Sequence, residues 1–276
     1  MNDPRAALDY VHATLSELHE EGVELHASRE SLARLAATPA PAVQDCKPLP
    51  GPEPTPETSV QRTAPAQSSD KAARLAALRA PVLACTKCPH LVKSRTQVVF
   101  GVGNPEAELM FVGEAPGEDE DKRGEPFVGK AGELLTRIIV AMGFTRDDVY
   151  IANVLKCRPD MPPGESGNRK PKDTEMETCL PYLRQQIDII QPRVLVALGA
   201  TAMQGLLGAE EPMGRLRGRW HDFQGTPLMA TYHPAYLLRN QSLTEKRKVW
   251  EDMLLVLERL GKPISAKQQN FFLPKA

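Results

Sequence analysis

Long apolar runs are absent from this chain of 276 residues. No stretch approaches the ~18–20 residues a helix needs to cross a bilayer, which excludes an integral helical membrane protein. The opening MNDPRAALDYVHATLSELHEEG carries early acids and no apolar core, so a secretory leader is not expected. Cysteine is scarce: there are five, an odd number and too few for a disulfide scaffold in a chain of this length. The expected setting is a reducing, cytoplasmic compartment in which cysteines bind metal or do chemistry. A strong excess of either charge is also missing, with 34 basic and 35 acidic side chains. Hydrophobic content of 41% and charged content of 25% are ordinary for a globular protein, with room for one large domain or two small ones.

The near-zero net charge hides an asymmetry. Residues 1–70 hold 5 basic and 11 acidic side chains, or −6; the remainder holds 29 and 24, or +5. The spacing Leu8, Val11, Leu15, Leu18, Leu25, Leu32, Leu35 predicts a helical extension over 1–36, with Asp3 and Pro4 suited to its start. Such a helix is either a loosely attached tail or a docking element for a partner protein. Eight prolines fall within 37–68, so 37–70 reads as a linker that buries no core. The folded body is expected over 71–262, with 263–276 as a tail. Its short apolar strands, 108–115, 148–156, 193–199 and 226–234, alternate with helical patterns at 129–142, 173–190, 200–207 and 244–260. That alternation predicts a parallel sheet covered on both faces, with ligands at the carboxyl ends of the strands. The clusters GEAPGEDED, KCRPDMPPGESGNRKP and HPAYLLRN each follow a strand, and so fall on one rim.

Cys85 and Cys88 form a C-x-x-C, Cys157 follows the second strand, and Cys179 lies in the next helix. Four thiolates suit a tetrahedral zinc or an iron–sulfur cluster, and spacing alone does not choose between them. Cys46, in the linker, reads as an incidental thiol. In GEAPGEDEDKRGEPFVGKAG, Gly113 and Gly117 let the backbone approach a ligand closely. The acids Glu114, Glu118, Asp119, Glu120 and Asp121 there argue against phosphate, and no phosphate-loop lysine is present.

GEAPGEDEDKRGEPFVGKAGELL, ANVLKCRP with GNRKP, LGATA and YHPAYLLR, together with the four cysteines, resemble the family 4 uracil-DNA glycosylases, the iron–sulfur enzymes of bacteria and archaea. The resemblance covers roughly residues 75–261. It implies an α/β fold, a three-layer α/β/α sandwich with a central four-stranded parallel sheet, and a [4Fe–4S] cluster held by Cys85, Cys88, Cys157 and Cys179. It also implies a monofunctional enzyme that extrudes uracil from single- or double-stranded DNA and releases the base. Phe127 matches the residue that stacks on the flipped base. Asn153 matches the amide that reads uracil N3–H and O4, a pattern cytosine reverses. His233 matches the imidazole facing O2, and Ala115 the backbone N–H that meets the base. Glu114 is the first candidate for orienting water or offsetting sugar charge. Glu120 is the second, with guarding against the thymine methyl group as its other role. Arg169, Lys170 and Arg239 are the candidate phosphate contacts, with Arg215, Arg217 and Arg219 as a further group that reads equally as a solvated hairpin face. The run Tyr236–Arg239 is a candidate wedge into the gap left by the base.

Two departures stand out: an inserted-looking DMPPGESG after Cys157, and the acidic front end. Two other functions compete with the enzyme. A covalent uracil-DNA binding protein of the same superfamily needs a histidine in the loop after the second strand, and PDMPPGESGNRKPKD has none. A non-catalytic DNA-binding scaffold leaves Phe127, Asn153 and His233 as coincidences. A monomer without membrane contact is the expected state.

Overall fold

Leu109–Gly113, strand β2, is buried along its whole length and sits at the centre of the sheet. Its side chains alternate between two cores, with Leu109 and Phe111 in one and Met110 and Val112 in the other. A strand buried on both faces has no polar side, which is why its sequence reads as a continuous apolar run. The structure is a computed structural model describing residues 66–162, 164–165 and 167–273. The predicted front-end helix, most of the proline-rich linker and Cys46 lie outside the described residues.

Helices α1 (Ala66–Leu83) and α2 (Pro89–Ser94) precede β1 (Val102–Gly103), β2, α3 (Glu118–Arg123), α4 (Lys130–Ala141) and β3 (Tyr150–Asn153). Then come α5 (Asp173–Ile190), β4 (Val194–Leu198), α6 (Ala200–Leu207), α7 (Met213–Leu216), β5 (Trp220–Phe223) and β6 (Thr226–Thr231). The last elements are α8 (Pro234–Arg239), α9 (Leu243–Arg259) and α10 (Ala266–Gln269). Strand order is β1-β3-β2-β4-β6-β5. The sheet is therefore one of six strands of mixed direction, larger than the expected central four-stranded parallel one. Pairings among β3, β2, β4 and β6 are parallel, while β1 and β5 add antiparallel edges. β5 and β6 form a hairpin whose two turn residues, Gln224 and Gly225, both have positive φ (52° and 86°), a turn that matches the natural twist of paired strands.

One face of the sheet is covered by α1, α5 and α6 through Leu78, Val82, Leu183, Ile187, Ile190 and Met203. The other is covered by α4 and α9 through Leu135, Ile139, Trp250, Met253 and Val256. Burying each such side chain is worth about 1.5–3 kcal/mol, enough to override the weak intrinsic preference of any single segment. Both chain-end boundaries shift from expectation. α1 begins at Ala66, inside the expected linker. The stretch after 263 folds back: Trp250 donates to the Gln268 carbonyl (2.5 Å), Gln268 donates to the Ala141 carbonyl (2.9 Å), and Phe271 sits edge-on to Trp250.

Candidate active site and metal centre

Parallel register brings four strand ends to one rim. Gly113 pairs with Asn153, and Leu198 with Thr231. The loops that start at Glu114, Val154, Gly199 and Tyr232 thus leave from one edge. Gly113 is a glycine for a steric reason: a Cβ there would lie 2.4 Å from Asn153 Oδ1 and 2.6 Å from two ring carbons of Phe127. The Phe127 ring is 5.5 Å, centroid to centroid, from the His233 imidazole. Ring, amide and imidazole from three separate loops therefore converge on one place. Phe127 reaches it from a left-handed backbone (φ 55°), a conformation costing a bulky residue roughly 1–2 kcal/mol. Arg146 holds that turn by donating to the carbonyls of Pro126 (2.9 Å) and Phe127 (3.2 Å).

Asn153 is 3% exposed, and its buried Oδ1 has no hydrogen-bond donor. An orphaned buried acceptor costs about 1–3 kcal/mol, so this atom is poised for an N–H donor brought by a guest. His233 caps α8, and its Nδ1 accepts the Ala235 N–H at 3.1 Å. The neutral ring must then carry its proton on Nε2. Burial pushes the His233 imidazole down to about 4, with Arg239 adding to the effect, so the ring is neutral at ordinary pH.

The two candidate carboxylates have different surroundings. Glu120 accepts the backbone N–H groups of Gly117 (3.0 Å), Val128 (3.2 Å) and Gly129 (3.3 Å). It ties the two ends of the acidic loop together. Glu114 is half-buried; its carbonyl accepts the Leu155 N–H (3.0 Å), and among the described residues no donor reaches its carboxylate. Ala115 is half-buried beside it, with no backbone acceptor for its N–H among the described residues.

The cysteines gather on the α1–α2–α5 side. Cys85 follows α1, Cys88 precedes α2, and Cys157 and Cys179 are buried. Burial, then Cys157 and Cys85, push the Cys88 thiol up. Burial pushes Cys179 to about 12 despite Lys156. Thiols that resist ionising beside one another are the state a bound metal inverts, because it deprotonates its ligands outright. The Arg95 guanidinium donates to Cys157 Sγ (3.0 Å) and the Lys156 N–H to Cys179 Sγ (3.2 Å). Zinc, with bonds of ~2.3 Å, would draw four sulfurs to about 3.8 Å from one another. Among the described residues the one trio of donors within 4.8 Å is His90, Asp160 and Glu175, not the cysteines. The four thiols form an all-sulfur donor set, which fits a metal ion or an iron–sulfur cluster. The acidic trio already contains its cation: Arg169 donates to Glu175 Oε1 (2.6 Å) and Oε2 (2.9 Å) and to Asp160.

Two comparisons decide the family. The model of the uracil-DNA glycosylase superfamily matches residues 100–254. A type-4 uracil-DNA glycosylase of Thermotoga maritima is 48% identical over 172 residues, 61% of this chain and 85% of that protein. The chain belongs to the uracil-DNA glycosylase superfamily, in its type-4 branch. A type-4 enzyme of Archaeoglobus fulgidus is 43% identical over 60% of this chain and 83% of its own length. A type-5 uracil-DNA glycosylase of Pyrobaculum aerophilum is more distant, at 28% over 55% and 79%.

The candidate DNA-facing cations differ in their contacts. Arg169 pairs with Glu175 and Asp160. Arg217 is likewise paired with buried Asp252, and Arg219 faces Glu211 at 3.5 Å. Leu237 of the candidate wedge is a core residue, whereas Arg239 is exposed and Leu238 half-buried. Lys170 is exposed and donates to Gln204 (2.7 Å). The site also uses residues that reading the sequence passed over: Arg146, Arg95, Lys156 and Glu175. Only Lys156, next to a cysteine inside an apolar strand end, left a signal that could have been found.

Proposed function

We propose that this protein removes uracil from DNA, hydrolysing the N-glycosidic bond and leaving an abasic site. The carrying observation is the orphaned Asn153 Oδ1 beside the Phe127 ring and the His233 imidazole. Uracil offers an N3–H donor to that acceptor. Cytosine offers a lone pair there, which leaves two acceptors facing each other, and a site built for a donor rejects such an analogue strongly. Phe127 stacks on the base, worth ~1–3 kcal/mol and indifferent to base identity. The Ala115 N–H meets the base edge.

In the reaction the C1′–N1 bond breaks, its electron pair leaves with uracil, and a water oxygen bonds to C1′. Negative charge grows on uracil O2 and O4. The Nε2–H of neutral His233 donates to O2 and is worth more to the anion than to the neutral base, which is what lowers the barrier. Glu114, with a free carboxylate, orients the water and offsets positive charge on the sugar. Glu120 holds the loop that presents them. Among the described residues no lysine stands ready as a Schiff-base nucleophile, so no strand cleavage is expected.

Cys85, Cys88, Cys157 and Cys179 hold a [4Fe–4S] cluster, which when bound ties the loop after β3 to α5 and the α1–α2 corner. Lys170 and Arg239 contact backbone phosphates, and Leu238 is the wedge. The glycosylase domain extends beyond the expected 71–262 to take in the start of α1 and the stretch that folds back after 263; the front-end helix serves a protein partner through its linker, and the catalytic unit works as a monomer. Incubation with uracil-containing single- and double-stranded oligonucleotides tests this: alkali-labile sites should accumulate over many turnovers. A denaturant-resistant DNA adduct, or intact DNA, would reject it.

A further inference from the structure

Among the described residues Lys156 is the one fully buried cation, and it differs from the half-buried arginines that meet carboxylates. Arg217 pairs with Asp252 and Arg169 with Glu175. Lys156 is 1% exposed, and its ammonium donates to two neutral acceptors, the Asn153 carbonyl (2.9 Å) and Gln186 Oε1 (2.5 Å). Gln186 is itself pinned by the Phe100 carbonyl (3.0 Å) and the Tyr150 hydroxyl (3.2 Å), so the acceptors are fixed. Among the described residues no carboxylate pairs with Lys156. A buried charge without a carboxylate partner is costly, so negative charge close by would stabilise it strongly.

The cysteine quartet is where that negative charge belongs. The Lys156 N–H already donates to Cys179 Sγ, and the next residue is Cys157. On the other side Arg95 bridges two ligand positions, donating to Cys157 Sγ (3.0 Å) and to the Cys85 carbonyl (2.7 Å). Four thiolates around an oxidised [4Fe–4S] core of charge 2+ leave a net charge of 2−. The Arg95 guanidinium stands at Cys157, while Lys156 meets Cys179 through its backbone N–H and keeps its ammonium on the Asn153 carbonyl and Gln186. We propose that Lys156 and Arg95 are the built-in countercharges of the cluster. The inference rests on the iron–sulfur reading given above. Its consequence is electrostatic: neighbouring positive charge and hydrogen bonds to sulfur stabilise the anionic cluster and raise its reduction potential.

The test uses the purified, cluster-loaded protein and the variants Lys156→Met and Arg95→Gln. Iron and sulfide content and visible absorbance are measured first on the wild type. A wild type lacking iron and sulfide overturns the cluster reading and the countercharge role together. With a loaded wild type, each variant should show a more negative reduction potential and should bleach roughly tenfold faster under a chelator. A loaded variant matching the wild type in both readouts overturns the countercharge role while leaving the cluster reading intact. If Lys156→Met does not accumulate, the double change Lys156→Met with Gln186→Met removes the stranded acceptor, and Arg95→Gln tests the same claim at a half-exposed position.

Discussion

Asn153 and His233 show how single atoms set the chemistry. Replacing Asn153 by Asp removes the donor for uracil O4, while the protonated acid pairs with cytosine through its O–H and carbonyl. The uracil-to-cytosine ratio of kcat/KM should fall by about 10² or more, measured on matched oligonucleotides. For His233 the direction of the shift decides the pH behaviour. Its ring is held down to about 4, below the ordinary histidine value, so it stays neutral as pH falls through 6.5. The stability gained from burying it neutral is complete above 6.5 and is lost as pH drops toward 4, where only the unfolded chain accepts the proton readily. The kcat/KM profile should therefore lack a His233 break near 6.5. A break there that disappears in His233→Asn would show that the ring titrates normally. The same variant should lower kcat by about 10²–10³ at pH 7.5, with KM little changed.

Elements matter here mainly through where they end. β2 ends on Gly113, where the space a side chain would take is filled by the Asn153 amide and the Phe127 ring. Gly113→Ala places a methyl group there. Overpacking of this kind costs about 1–3 kcal/mol, which a folded domain survives, but the displaced amide and ring should cost more than tenfold in kcat/KM. Thermal melts alongside kinetics separate the two effects; equal and small changes in both would mean that Gly113 does not shape the pocket. α5 was legible to its end residues because Met176, Cys179, Leu183, Ile187 and Ile190 recur at helical spacing. β1, of two residues, and β5, of mixed polarity, were not, because edge strands bury too little to leave a pattern. The short helix after residue 263 has the same explanation, since one turn has no period.

Over the whole molecule, the mildly basic body sets how DNA is met. Lys170 and Arg239 are exposed cations near the rim, whereas Arg169 belongs to the network that anchors α5. Alanine at Lys170 or Arg239 should weaken binding to all DNA alike and reduce the salt slope of affinity by about 1 for each cation removed. Arg169→Ala should leave the salt slope unchanged and lower the melting temperature instead. Titrations of a labelled oligonucleotide at several salt concentrations read both, and a reduced slope for Arg169→Ala would return that residue to the interface.

The linear order of residues was enough to determine the strand–helix alternation, the family, the cysteine quartet and the three side chains that meet at the rim. Each is carried by local periodicity or by a motif whose residue types have few other uses. Which charges are free was decided only by the tertiary structure. Arg169, Arg217 and Glu120 look on paper like Arg239 and Glu114, yet the first three are consumed by partners that are brought to them by folding. Lys156 is the reverse case: an unremarked lysine in the sequence becomes a buried charge without a carboxylate partner once β3 and α5 close around it. Hydrogen-bond satisfaction is a property of three-dimensional neighbours, and periodicity along the chain carries no record of it.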